Sequence, residues 1–404
     1  MDVQSADLIE RYVTLGLELG RHVDGFVDAY YGPPELAQQV GVAALPAEPS
    51  RLVDEAGALA ADLVDDREID AQRQRWLLGQ VLACETVARR LAGERFSWTE
   101  EVERCFSMRP SPVGDERFAE AHRLLEEALP QGGSLAERYG RWLESQAVPR
   151  DLLPAATEQL ATHLRRRTRE LAPMPDDEDF ELEVVRGEPW SAFNYYLGGY
   201  RSRVAINADT LLWSSSLTDL VTHELYPGHH TEHACKEALL VREWRYLEET
   251  IALVLSPQSL VSEGIASLAF EIALGVDAHA VAADLLRALD IPYDNETATA
   301  VQDADEALAG VIVNVAHQLH EKGAEVAEVR EYALHWSLKP PEIVDRMLAF
   351  AGDPVWRTYV STYSDGLSLC RAFVAGEEER FARLLTEQLT PADLLKPGIG
   401  TSVA

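Results

Sequence analysis

Proline inside a helix removes one backbone hydrogen bond and collides with the carbonyl four residues before it. Pro227 stands in the middle of a stretch that otherwise asks to be helical. Leu217, Leu220, Val221 and Leu225 recur at the spacing of one buried helix stripe. Gly228 follows the proline and opens further backbone freedom. The chain must therefore bulge or kink here, within "THELYPGHHTEH" at 222–233, which holds four of the eleven histidines and two glutamates.

The break decides what the histidines can do. In H-E-x-x-H, two histidines one helical turn apart bind zinc, and the glutamate between them is the general base. His223 and Glu224 supply the first half, but Pro227 occupies the place of the second histidine. On an unbroken helix His229 and His230 would rise roughly 9 to 10 Å above His223, too far to share one ion. A two-residue excursion at Pro227-Gly228 returns His229 to the ligand position, and a three-residue one returns His230; His229 is preferred. A rival order lies in "HHTEH", where His229 and His233 flank Glu232 as in an inverted zincin motif. It needs no kink, but leaves His223, Glu224 and the Pro-Gly break without a purpose. A chance cluster without metal is the third possibility.

A catalytic zinc site takes three protein ligands and leaves a position open. Glu263 is the expected third ligand, because it lies among Leu260, Val261, Ile265 and Leu268 on a helix opened by Ser256 and Pro257. A carboxylate in so apolar a stretch is costly to bury unless paired or metal-bound. Gly264 beside it admits a close neighbour, and Glu271 is a candidate orienter for a ligand imidazole. Cys235 is near enough in sequence to be weighed as a thiolate ligand, although a free cysteine is more often a small core residue.

Residues 1–172 read as helices separated by Pro- and Gly-rich breaks such as "YYGPPE" and "LPAEPS". "FELEVV", "AFNYYL" and "SRVAINAD" then read as strands of a small sheet. Helical spacing resumes from Ser214, with Ser216 as the expected cap. The expected division is 1–172 and 173–404, joined in one globular unit. A net charge of −32 speaks against nucleic acid as a partner, since phosphates need clustered Lys and Arg. No uninterrupted apolar run reaches membrane-spanning length, and the first twenty residues lack a secretory pattern. Four scattered cysteines without a C-x-x-C pair fit a reducing compartment, so the expected location is cytoplasmic, away from membranes.

The octapeptide H223-E-L-Y-P-G-H-H230 with the later "SEGIASLAFE" resembles a bacterial family named domain of unknown function 885, grouped with gluzincin-type metallopeptidases. "VAHQLHEKG" around His320 and "TYSDG" with Tyr363 and Gly366 resemble two further segments of that family. The likeness covers about residues 175–395. Ile265 replaces an aromatic usual after E-G, and "TEH" replaces a usual Gln-containing segment. The resemblance implies a mostly α, zincin-like fold with a small β-sheet beside the active-site helix, and one Zn2+ ion. "SRVAINAD" is the strand expected to run along the cleft and pair with an extended peptide. The implied activity is hydrolysis of a small peptide or amide by activated water, with Glu224 as general base. Tyr363, and after it His320, are candidate oxyanion donors, and Arg203 or Arg371 a candidate anchor for a substrate carboxylate. A non-catalytic metal-binding module and a helical interaction protein are the competing expectations.

Overall fold

The computed structural model of the chain describes residues 3–396, with 44 and 189 excepted. The fold is mostly α, with two small sheets. The first half is built of helices, among them Val3–Gly20, Ala71–Leu91 and Leu153–Leu171. Their apolar stripes bury Tyr12, Trp76, Trp98, Phe106 and Phe118 almost completely. These side chains belong to one hydrophobic cluster that continues through Leu217, Leu260, Ile265 and Phe381 of the second half.

One strand inside the helical first half was not anticipated. β1, Val27–Tyr30, pairs antiparallel with β5, Ile251–Leu253. Four residues are too few to show a period of two, and the partner lies more than two hundred positions away. Between them fall β2 (Asp179–Val185), β3 (Ala192–Gly198) and β4 (Arg201–Asn207). These form a three-stranded sheet in the order β2-β4-β3, with β2 parallel and β3 antiparallel to β4. The three expected strands are therefore present, but the role given to "SRVAINAD" is corrected. β4 is central, so its backbone groups are shared between β2 and β3 and it cannot receive a peptide. β3 is an edge strand of this sheet, and its Asn194 donates to the Glu224 carbonyl (2.6 Å).

The Pro-Gly break divides the histidine segment into two helices, Ser214–Glu224 and His229–Lys236. The first begins two residues before the expected cap, and Ser216 accepts from the Trp213 amide. Helix Pro257–Leu274 opens as expected, with Ser256 capping the Ser259 amide (3.2 Å). It crosses helix Ser361–Val374 at two glycines. A Cβ on Gly264 would lie 2.3 Å from the Gly366 carbonyl oxygen, and one on Gly366 would lie 2.5 Å from that of Leu260. Only hydrogens fit, so the backbones touch, and Tyr359, ahead of the crossing, reaches Glu263. Among the described residues one helical run, Pro257–Arg287, is long and apolar enough to cross a bilayer, but most of its apolar window is buried inside the protein.

Candidate metal centre

Between the two histidine helices the chain makes a detour of two residues. The Gly228 amide bonds the Thr222 carbonyl (2.9 Å) and the Thr231 amide bonds that of Leu225 (3.2 Å). Each bond reaches back six residues where a regular helix reaches four. The Tyr226–Pro227 peptide is cis. A Cβ on Gly228 would stand 1.8 Å from the His223 carbonyl oxygen, so no other residue fits this close return. The six-residue spacing is thereby converted into neighbouring ligand positions. His223 and His229 lie with ring centroids 4.7 Å apart and planes at 86°.

Glu263 meets both rings. His223 Nε2 is 3.5 Å from Glu263 Oε2, and His229 Nε2 is 3.5 Å from Glu263 Oε1. One ligand atom from each of the three lies within 4.8 Å of the other two. Tyr359 donates to Glu263 Oε1 (2.6 Å), while Oε2 is buried without a hydrogen-bond partner. A buried carboxylate oxygen in that condition is expensive, and a cation between it and the imidazoles would satisfy it. The donor set, two nitrogens and a carboxylate oxygen, suits zinc.

The surroundings orient the candidate ligands. Ser262 Oγ donates to Glu232 Oε2 (2.5 Å), so it accepts from His229 Nδ1–H (3.2 Å). In the neutral ring this leaves the lone pair on Nε2, the nitrogen facing Glu263. Lys236 closes the chain through a 2.7 Å bond to Glu232 Oε1. Burial, and then the charge of His229, press His223 down to about 4, so its imidazole is neutral at pH 7. His229 is desolvated too, but its contact with Glu263 prevails and lifts it to about 10. Burial raises Glu224 to about 7, with His229 opposing and Glu263 and Asp28 adding to the shift. Glu224 ends its helix, directly after His223.

Other expectations are redirected. His230 is not at this point: its Nε2 meets Glu178 (3.0 Å) and its Nδ1 meets Ser202 (2.8 Å), with the ring fully buried. His233 stacks on Tyr196 (centroids 4.7 Å) and Glu232 is held by Ser262 and Lys236, so the inverted motif is not assembled. His320 lies elsewhere, its Nε2 bonded to the Ala351 carbonyl (2.7 Å). Glu271 pairs with Arg371, which also holds Glu306, so neither orients a ligand imidazole nor waits for a carboxylate. Arg203 lies over the Tyr195 ring at 4.4 Å and 3.8 Å from Glu183. Cys235 is buried and its thiol is pushed up to about 12 by desolvation, a core residue rather than a thiolate. Tyr363 is beside the site: its ring meets Tyr359 (5.6 Å), and the charges of Glu263 and Glu224 act on its hydroxyl. One further residue went unnoticed in the sequence, Tyr359, which holds Glu263. Tyr359 sits four positions before Tyr363, a helical spacing that carried a usable signal.

No family profile matches the chain, and no curated protein matches it. Among solved structures it is similar to one described as a putative lipoprotein from Colwellia psychrerythraea, with a TM-score of 0.52 and 15% identity. The match covers 86% of this chain, which spans 66% of that one. At this identity the likeness concerns the fold. The resemblance to the family of unknown function 885 rests on the motif residues themselves.

Proposed function

We propose that the protein is a zinc-dependent hydrolase of the zincin type, related to the domain of unknown function 885 family, that cleaves short peptides or related amides. The observation that carries this reading is the convergence of His223, His229 and Glu263 on one point, with Glu263 Oε2 buried and unsatisfied. A zinc ion held there would supply Lewis acidity, polarising a carbonyl and making water a better nucleophile.

The protein's own groups divide the remaining work. Glu224, with its pKa near 7, takes a proton from the attacking water and returns it to the leaving amine. Tyr363 donates to the oxygen on which negative charge develops. Tyr359 holds Glu263 by Oε1, the oxygen that meets His229, and leaves Oε2 turned to His223. Asn194 on the β3 edge fixes the end of the helix that carries Glu224.

Replacement of Glu224 by Gln tests the assignment against a module that merely binds metal. The variant should keep one zinc per chain while hydrolysis of short peptides falls by about 10²- to 10⁴-fold. Unchanged hydrolysis would remove Glu224 from the mechanism.

A further inference from the structure

The second histidine of the pair has partners of its own. His230 is not among the residues that converge at the candidate metal centre, yet its ring is fully buried. Its Nε2–H donates to Glu178 Oε2 (3.0 Å), and its Nδ1 meets Ser202 Oγ (2.8 Å). The same Oε2 accepts from the Tyr226 hydroxyl (2.7 Å). One carboxylate oxygen therefore grips the chain on both sides of Pro227, Gly228 and His229. The other oxygen, Oε1, accepts from Arg165 (2.6 Å) and Arg169 (2.8 Å), one turn apart on the helix Leu153–Leu171.

This grip belongs to a wider fastening by the three-stranded sheet. Glu178 immediately precedes β2, Ser202 lies in β4, and Asn194 of β3 donates to the Glu224 carbonyl (2.6 Å). All three side chains are buried. Each strand, or the residue before it, thus holds the segment 224–230 by a polar side chain. Apolar packing would cover the return equally well, but it tolerates small displacements. Hydrogen bonds weaken steeply with distance and angle, and a buried group left without one is costly. The arrangement therefore fixes the position of the return as well as its burial. The charge of Glu178 is compensated by the two arginines, so the grip leaves no lone buried charge.

We infer that Glu178 is a positioning residue for the metal centre. Acting through Tyr226 and His230, it holds the Pro-Gly return in the shape that sets His229 beside His223. His230 is the anchor of this device and His229 the ligand it presents. The inference rests on the zinc reading of the centre, and not on hydrolysis. Without the grip, zinc itself must order the return, and that cost appears as weaker binding at unchanged stoichiometry.

The test is zinc affinity by chelator competition at pH 7, compared among wild type, Glu178→Gln, Tyr226→Phe and Asp66→Asn, each well below its melting temperature. Asp66 controls for general destabilisation: its carboxyl is also buried and accepts from Ser5, Glu68 and Ile69, between the helices Pro49–Asp65 and Ala71–Leu91. Glu178→Gln should bind zinc about 10- to 100-fold more weakly, the effect of losing a group that orients a ligand from outside. Tyr226→Phe keeps the ring and the other partners of Glu178, and should bind about 3- to 10-fold more weakly, the range of one hydrogen bond. Both should still saturate at one zinc per chain. Asp66→Asn should lower the melting temperature and keep wild-type affinity. Wild-type affinity in folded Glu178→Gln overturns the inference and leaves the zinc site standing; if that variant does not fold, Tyr226→Phe decides in the same way. Equal weakening in Asp66→Asn also overturns it, since the effect would then be one of general stability. No stoichiometric zinc in the wild type overturns the zinc reading and the inference together. Weakened zinc binding in a protein that hydrolyses no peptide supports the inference and removes the hydrolase reading alone.

Discussion

His223 and His229 stand edge to face with their ring centroids 4.7 Å apart, although six residues separate them. In one straight helix the same separation would be about 9 Å of rise. The difference is made by the return at Gly228, whose Cα packs against the His223 carbonyl. Gly228→Ala forces a methyl group into that contact. The expected result is a loss of about 2–4 kcal/mol of stability, from overpacking against backbone that cannot yield. Zinc affinity should fall with it, measured by chelator competition on whatever fraction remains folded. A variant with wild-type melting temperature and zinc affinity would show that the return is not tightly packed.

Ser262 connects His229 to Glu232 and so sets which imidazole nitrogen is free. Ser262→Ala removes that connection without touching a candidate ligand. Zinc should bind about 10- to 100-fold more weakly, the usual effect of losing a group that orients a ligand, with little change in the melting temperature of the metal-free protein. Competition titration with a chromophoric chelator reads the difference. Equal affinities would mean that packing alone orients His229.

How much of this could be read in the chain follows from where each constraint originates. The Pro-Gly break, His223, Glu224 and Glu263 are legible because each conflicts with its own neighbours: a proline in a helix, or a carboxylate among leucines. The strands 179–207 are legible from composition, but the central place of β4 is not, because pairing order depends on contacts between segments. The choice between His229 and His230 is equally hidden. Two identical residues side by side are separated by Glu178, 52 positions before His230, which it claims. The bulge at Asp28 carries no local signal, since it forms against a strand that begins at Ile251. His320 resembles a family segment in sequence, but the helix Val311–His320 presents it to the Ala351 carbonyl.

Glu178 offers a pH test away from the candidate metal ligands. It is buried and accepts from Arg165 (2.6 Å), Arg169 (2.8 Å) and Tyr226 (2.7 Å), besides meeting His230. Desolvation works to raise its pKa, but these partners, His230 first, hold it down from 4.5 to about 2. A depressed carboxyl pKa contributes stability that is complete above the unfolded value and lost as pH falls through the folded one. In metal-free protein Glu178→Gln should therefore cost up to about 3 kcal/mol at pH 6. The gap to wild type should narrow from pH 4.5 downward towards pH 2. Urea denaturation at pH 6 and pH 3 measures it, and a gap independent of pH would contradict the ion-pair account.

Tyr363 is partly exposed, and its hydroxyl lies in the field of Glu263 and Glu224. If it meets the developing oxyanion, Tyr363→Phe should lower kcat by about 10²- to 10³-fold and leave KM near the wild-type value. A rise in KM at constant kcat would instead make Tyr363 a contact for the bound substrate.

The central claim is that His223, His229 and Glu263 hold one zinc ion while the adjacent His230 does not. Elemental analysis of protein purified without chelator tests it most directly, comparing wild type with His229→Ala and His230→Ala. One zinc per chain in the wild type and in the folded fraction of His230→Ala, with its loss in His229→Ala, is the predicted result. No stoichiometric metal in the wild type, or retention in His229→Ala with loss in His230→Ala, would contradict it.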